Sequence, residues 1–346
     1  MPSPKLSTVA AKRFCLQITL IFFLISRAVA QPWSAADKKV RDRYYRLLDS
    51  VATAAPEKQV SALRRFAVAY PQIERVFPKL LECYQVQTKI AEAKDCFQKL
   101  AWQPSSRRNS LWILAKIAVF ENDDSTAENF FSQALHDKMI APSPALLNDY
   151  IEFRYQQSGQ LAAPTILRDL ALSPDNRAIA AAFVHYQNEE YDQASAAFRQ
   201  ASQNALDDGV VLHVWGDGFL QNERKKWVER LAGADSLWRR GLELAKRSGD
   251  LEMQAHFLTN LGDLAYERGV DVEAAGFYDS ASAIARRLDH VNHLQRILGK
   301  QGNICVAQSD REQAEALYQT ALGTAVLIGA DRDRINHYLS YGQLLY

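Results

Sequence analysis

Beyond residue 73, apolar residues recur at three- and four-residue steps, the spacing that lines one face of a helix. The clearest stretch runs from Leu258: LTNLGDLAYERGVDVEAAGFYDSASAIARRLDH. Leu258, Leu261, Gly262 and Ala265 share a face of a first helix that ends near Gly269. Ala274, Tyr278 and Ala281 share the inner face of a second. Gly262 and Ala274 are expected where the two helices cross, because a larger side chain would push them apart. Tyr278 then fills the space beside them.

The pattern returns after 40 residues as Gly302, Ala314, Tyr318 and Ala321, and after 40 more as Gly342. Forty residues before Ala274 stands Ala234, followed by Trp238, Gly241 and Ala245. Upstream, Phe77, Leu80, Leu81, Tyr84, Ala93, Phe97 and Leu100 form one copy. Leu111, Leu114, Ala115, Ala118, Ala127, Phe131 and Ala134 form the next, and Tyr191, Ala194, Phe198 and Ala201 mark another second helix. Between these lies a degenerate unit with Tyr155, Gly159 and Ala171, in which Pro164 holds the alanine position and Arg168 the aromatic one. The anchors at 93, 127, 164, 194, 234, 274 and 314 are thus 34, 37, 30, 40, 40 and 40 residues apart. Self-similarity on this scale marks a stack of helical pairs. A decayed eighth copy is expected in residues 35–71, with Leu63, Phe66 and Ala69 before Pro71.

The order leucine, glycine, then alanine, aromatic, alanine resembles the tetratricopeptide repeat. That resemblance implies an all-α fold, a right-handed superhelical solenoid of helix-turn-helix pairs, each covering the apolar stripe its neighbour cannot bury alone. The last three spacings resemble the longer variety of the family. The expected organisation is a signal peptide at 1–30, a degenerate helical pair at 31–72, shorter repeats at 73–205 and a 40-residue array at 206–346 whose last repeat is incomplete. Gln103-Pro104-Ser105-Ser106 and Ala141-Pro142-Ser143-Pro144 fall between pairs, as breaks should. ERKKW, Glu223 to Trp227, is either an overlong helix or a protruding loop.

The signal peptide follows from Lys12 and Arg13 ahead of the apolar run Phe14 to Ser26, with Ala28-Val29-Ala30 before Gln31. The run is shorter than the roughly 20 residues a membrane span needs, so export to the periplasm or the cell exterior is expected, without stable membrane insertion after cleavage. Of 41 Lys and Arg residues, Lys5, Lys12, Arg13 and Arg27 lie in the first 30 positions with no acid, leaving 37 against 40 acids. A chain without basic excess has no electrostatic engine for nucleic acid. Cys83, Cys96 and Cys305 remain after cleavage, an odd number. Cys83 and Cys96 belong to neighbouring helices within reach of one bridge, but the favoured reading is small buried hydrophobes, and Cys305 occupies a packing position.

No phosphate-loop, dinucleotide or serine-elbow string occurs, so no catalytic residue, cofactor or metal is expected. His290 and His293 have the spacing of paired ligands, yet they fall at a repeat junction with only Asp289 beside them and read as a solvated linker. Trp215 and Gly216 align with the leucine-glycine pair of the repeat.

The resemblance implies that first helices line a concave groove. Carried across position by position, its upstream part shows Trp112, Lys116, Phe120, Asp149, Phe153, Phe183 and Tyr186. Its downstream part shows His256, Asn260, Asp263, Tyr266, Lys300 and Asn303. The aromatic set suits a protein segment, and Asn260 stands where family members use asparagine against a peptide backbone. The family's clamp for a C-terminal carboxylate is missing. The expected function is an exported, non-enzymatic scaffold that binds protein or peptide partners. Leu344 and Leu345 at the C-terminal helix offer self-association. The alternative is the sensory region of a larger protein, since the long repeats resemble the N-terminal regions of CHAT peptidases and repeat-bearing histidine kinases.

Overall fold

In a computed structural model the described residues are 38–71, 73–137, 142–168, 170, 172–327, 337–338 and 340–342. Every regular element among them is an α-helix. The expected signal peptide, Ala171, Leu344 and Leu345 lie outside the described residues. The described chain divides into two compact units, residues 38–291 and 292–342.

The first unit opens with α1 (Lys38–Val51) and α2 (Pro56–Ala69), the pair expected as a decayed repeat. Leu63 and Phe66 are buried there, whereas Ala69 is exposed. Then follow α3 (Val76–Val86) with α4 (Ile90–Ala101), α5 (Arg107–Phe120) with α6 (Asp124–Leu135), and α7 (Pro144–Ser158) with α8 (Ala163–Arg168). After them come α9 (Pro174–Gln187) with α10 (Tyr191–Phe198), the single turn α11 (Gln203–Leu206), α12 (Gly209–Gln221) with α13 (Trp227–Ser248), and α14 (Leu251–Glu267) with α15 (Asp271–Arg287). In the second unit α16 (Val291–Ala307) precedes α17 (Arg311–Leu327).

The alanine anchors behave as their spacing requires. Ala93, Ala127, Ala194, Ala234 and Ala274 are buried in the first unit and Ala314 in the second. Pro164 is the exception: it is exposed, and α8 ends after six residues at Arg168. With no small apolar residue at the crossing point, nothing draws a full-length second helix onto α7.

Helix starts are fixed locally. Side chains of Asp123, Ser143, Ser173, Asp208 and Asp250 accept from the otherwise orphaned N–H groups opening α6, α7, α9, α12 and α14. Within a pair, the aromatic of the second helix lies on the glycine of the first. A Cβ on Gly262 would stand 2.6 Å from Tyr278 Cε1, and one on Gly302 the same distance from Tyr318 Cε1. Trp238 covers Gly216 in the same way. The Tyr278 hydroxyl then donates to Asp263 at 2.7 Å and the Tyr318 hydroxyl to Asn303 at 2.6 Å.

The first unit also closes on itself. Tyr44 of α1 donates to Glu252 of α14 at 3.2 Å, and the Leu251 N–H donates to the Tyr45 hydroxyl at 3.0 Å. Arg75 pairs with Asp250 and, at 3.2 Å, with Glu252. Lys79 of α3 donates to the Asp289 carbonyl at 2.6 Å, while Asp49 pairs with Arg287 at 3.0 Å on the surface. These links join residues about 200 positions apart.

The ERKKW segment takes both forms offered by the sequence. Residues 222–226 connect the helices without helical structure, and α13 is then 22 residues long. Its first residue, Trp227, is 43% exposed, with the Arg230 guanidinium 4.9 Å from its ring centre. Cys83, Cys96 and Cys305 are buried free thiols. Burial pushes the Cys83 thiol up to about 11 and raises that of Cys96. His290 and His293 correct the expectation of a solvated linker, for both are buried.

Candidate functional site

The first helices of successive pairs carry the residues that the repeat resemblance placed in a groove. Upstream, these side chains are turned to one another and sealed. Trp112 Nε1 and Lys116 Nζ on α5 both donate to Asp149 Oδ2 on α7, at 2.9 and 2.8 Å. The Lys116 ammonium also lies 5.4 Å from the Trp112 ring centre. All three are buried, at 1%, 3% and 1% exposure, which leaves no surface for a partner at this level.

Phe153 packs on Phe131 with ring centres 5.2 Å apart, and Phe183 meets Phe198 edge-on at 5.8 Å. Both are core residues rather than open groove lining. Large apolar rings in a row bury against neighbouring second helices, Phe153 against that of the preceding pair and Phe183 against that of its own, because each is stabilised by about 1.5–3 kcal/mol when taken from water. Of the upstream set, Phe120 is exposed and Tyr186 half-buried.

From Tyr186 of α9 onward the inner positions are mostly polar and half-buried. Tyr186 of α9 donates to Asp217 of α12, and its ring meets Tyr191 edge-on at 5.8 Å over Gly218. Burial, with Glu189, Asp217 and other nearby acids adding to it, pushes the Tyr191 hydroxyl up to about 12. His213 of α12 lies with its Nδ1 2.8 Å from Asn260 Nδ2 on α14. His256 is half-buried on the same helix, one turn before Asn260, and Tyr266 at its far end is exposed. Tyr186–Asp217 and His213–Asn260 thus tie α9 to α12 and α12 to α14 by side chains that solvent still reaches.

Asp263 and Asn303 have a further job that the sequence did not disclose. Each receives the hydroxyl of the second-helix tyrosine, so the aromatic that fills the crossing point is also held by its polar tip. Desolvation, reinforced by Asp263, raises the Tyr278 hydroxyl, which therefore stays a donor. Lys300 in the second unit is half-buried.

Sequence reasoning missed the closing seam made by Tyr44, Arg75, Asp250 and Glu252. Its one trace was the pair Glu74-Arg75 inside the otherwise apolar run Ile73 to Phe77, where a surface reading leaves two charges with no reason to be there. Among the described residues there is no group of three or more metal-ligating side chains and no helix long and apolar enough to cross a membrane.

No family model and no curated protein matches the chain. Among solved structures it is similar to a signal transduction ATPase with numerous domains that carries a tetratricopeptide repeat sensor, from Pyrococcus horikoshii, at 13% identity and a TM-score of 0.43. That match covers 89% of this chain but only 43% of the ATPase. It is also similar to the apo form of the quorum sensor NprR from B. thuringiensis, at 12% identity and a TM-score of 0.35, covering 90% of this chain and 81% of that one. At TM-scores below 0.5 neither neighbour bears on which partner this chain holds.

Proposed function

We propose that this chain is a protein-interaction scaffold whose working surface is the inner face of α9, α12 and α14. The observation that carries the reading is the row of half-buried polar side chains there, Tyr186, His213, Asp217, Asn260 and Asp263, set on rigid helices and tied across them. Such a surface offers donors and acceptors at fixed positions, which suits the repeating N–H and C=O groups of an extended segment. The Asn260 amide both donates and accepts, so it serves either partner group. Phe120 and Tyr266 add exposed aromatic area, whereas Trp112, Lys116, Phe153 and Phe183 shape the frame from within. In the second unit Lys300 and Asn303 offer positions of the same kind.

The scaffold is taken to work after export, on the strength of the apolar run Phe14 to Ser26 and the Ala28-Val29-Ala30 ending. N-terminal sequencing of the chain recovered from its native cells should then begin at Gln31, and a chain retaining residues 1–30 refutes export with cleavage.

A photo-crosslinking amino acid at position 260 tests the surface, with one at Gly276 as control. Gly276 is an exposed position on α15 where an added side chain meets nothing within 4 Å. Discrete protein adducts from position 260 and none from 276, in native cells, are the expected result. Equal adducts from both positions, or none from 260, would refute the inner face as the working surface.

A further inference from the structure

The near-neutral charge of the chain conceals a segregation along it. Residues 38–110 hold 15 Lys and Arg against 7 Asp and Glu, whereas residues 111–346 hold 22 against 32. The buried cations Arg41, Arg75, Lys79 and Arg108 account for only part of the first excess. Much of the rest stands on the surface of α1 and α2. On α1, Lys39, Arg43 and Arg46 follow one another at steps of four and three, so they share one face, and the opposite face, Arg41, Tyr44, Tyr45 and Leu48, is buried. On α2, Lys58, Ala62, Arg65 and Ala69 form a second stripe at steps of four, three and four. The two helices are antiparallel: Arg43 donates to the Tyr70 hydroxyl at the end of α2, and Gln59 near its start donates to the Val51 carbonyl at the end of α1 at 3.1 Å. Arg43 thereby joins the α1 stripe to the Ala69 end of the α2 stripe.

All five cations of the stripes are exposed, and none of them forms an ion pair among the described residues. Arg43 and Arg46 donate to neutral oxygens, the Tyr70 hydroxyl and the Asp42 backbone carbonyl, which leaves their charge uncompensated. The acids of the two helices lie off the stripes. Asp49 is paired with Arg287 and Glu57 with Lys89, leaving Asp42 as the one carboxylate of α1 and α2 not engaged by a base. Elsewhere the surface sets bases beside acids, as in Lys99 with Asp95, Arg239 with Asp235 and Lys246 with Glu243. Five like charges on one face repel one another, so an anionic partner relieves a cost that the free chain bears.

The side chains between the bases choose the partner. They are small, Ser50 on α1 and Ala62 and Ala69 on α2, so the face has no aromatic or large aliphatic anchor. A protein interface depends on buried anchors and is depleted of lysine, whereas a layer of phosphate headgroups is held by charge alone. Each helix has 14 residues and is about 20 Å long, so the stripes span several headgroups. We propose that the α1–α2 face docks on a membrane surface of anionic phospholipid, with lipid phosphates set against Lys39, Arg43 and Arg46 of one helix and Lys58 and Arg65 of the other. The contact is peripheral, since the face carries no apolar side chain to enter the hydrocarbon. It goes beyond the scaffold reading and does not depend on it, because the face lies on α1 and α2 and not on α9, α12 and α14.

Co-sedimentation with vesicles tests the face, using protein purified from its native cells as wild type and as the triple variant Arg43→Gln, Arg46→Gln, Arg65→Gln. Any part of residues 1–30 that is retained is common to both. One base near such a surface is worth about fivefold in affinity, so the variant should bind phosphatidylglycerol-containing vesicles on the order of 100-fold more weakly. Wild-type binding should be absent from pure phosphatidylcholine vesicles and should fall between about 0.1 and 0.5 M salt as the charges are screened. The three positions are exposed, so the variant should keep the helical circular dichroism of the wild type. If it does not fold, Lys39→Gln with Lys58→Gln takes its place, with a loss of about 25-fold expected. Equal wild-type binding to both kinds of vesicle, or a folded variant that binds as the wild type does, overturns the proposal. Capture of the wild type by polyglutamate or duplex DNA but not by phosphatidylglycerol vesicles overturns it as well.

Discussion

Arg75 and Asp250 form an ion pair buried between the third helix and the cap of the fourteenth, 175 residues apart in the chain. The Arg75 guanidinium also meets Glu252 and the Tyr45 hydroxyl, so a single side chain holds α1, α3 and α14 together. Replacing it strands two carboxylates without their cation. Arg75→Met should cost about 3–5 kcal/mol, because an uncompensated buried charge is more expensive than the pair itself was worth. Urea denaturation checks this, and a loss below about 1 kcal/mol would show that the seam is wet.

The glycines of the repeat separate into two kinds that a single substitution tells apart. Gly262→Ala puts a methyl into the Tyr278 ring and should destabilise by about 1–3 kcal/mol through overpacking. Gly276→Ala lies within α15 with open space around it and should stabilise by about 0.5–1 kcal/mol through helix propensity. Thermal midpoints moving in the same direction would contradict the crossing-point assignment.

Stability as a whole should be greater in mild acid than at neutral pH. The folded chain keeps a proton on Asp208 up to about 7, whereas the unfolded chain gives it up in the ordinary carboxylate range. Between those limits the folded state binds more protons, so stability falls as pH rises. Asp49, Asp175 and Asp192 work the other way, being held low by Arg287, the Ser202 backbone and Lys225 respectively, and their contribution is lost below about pH 4. A thermal midpoint that peaks between about pH 4 and 6 is expected, and a peak above 8 would contradict the protonated seam.

The three thiols of the chain from Gln31 should be silent in the native state. Each is buried, and the Cys83 thiol is pushed up to about 11, so little thiolate forms at pH 8. A thiol reagent should label none of the three until denaturant is added, and mass analysis should find no bridge between Cys83 and Cys96. Rapid native labelling of Cys83 would place it nearer the surface than its packing implies.

Most of the helical frame was legible in the sequence, because small and aromatic residues at fixed spacing carry a local steric meaning. Gly262 against Tyr278, Gly302 against Tyr318 and the buried alanines from 93 to 314 needed only the 40- and 34-residue periods to be found. The degenerate copy was visible too, with Pro164 at an alanine position, and its second helix is the six-residue α8. The site was less legible. Motif position shows which helix face a residue occupies but not how far the neighbouring helix stands from it, and so Trp112, Lys116 and Asp149 were read as groove when they are a buried pair with a capping indole.

What the sequence determined by itself is the steric frame within one helical pair: which residues cross and which aromatic fills the gap. Those interactions join residues fewer than about 40 positions apart, and each leaves a repeated signature. What only the tertiary structure decided is the curvature that accumulates over many pairs. That curvature brings Tyr44 to Glu252 and Arg75 to Asp250. Small angles between successive pairs add up over 200 residues, and no periodic pattern records their sum.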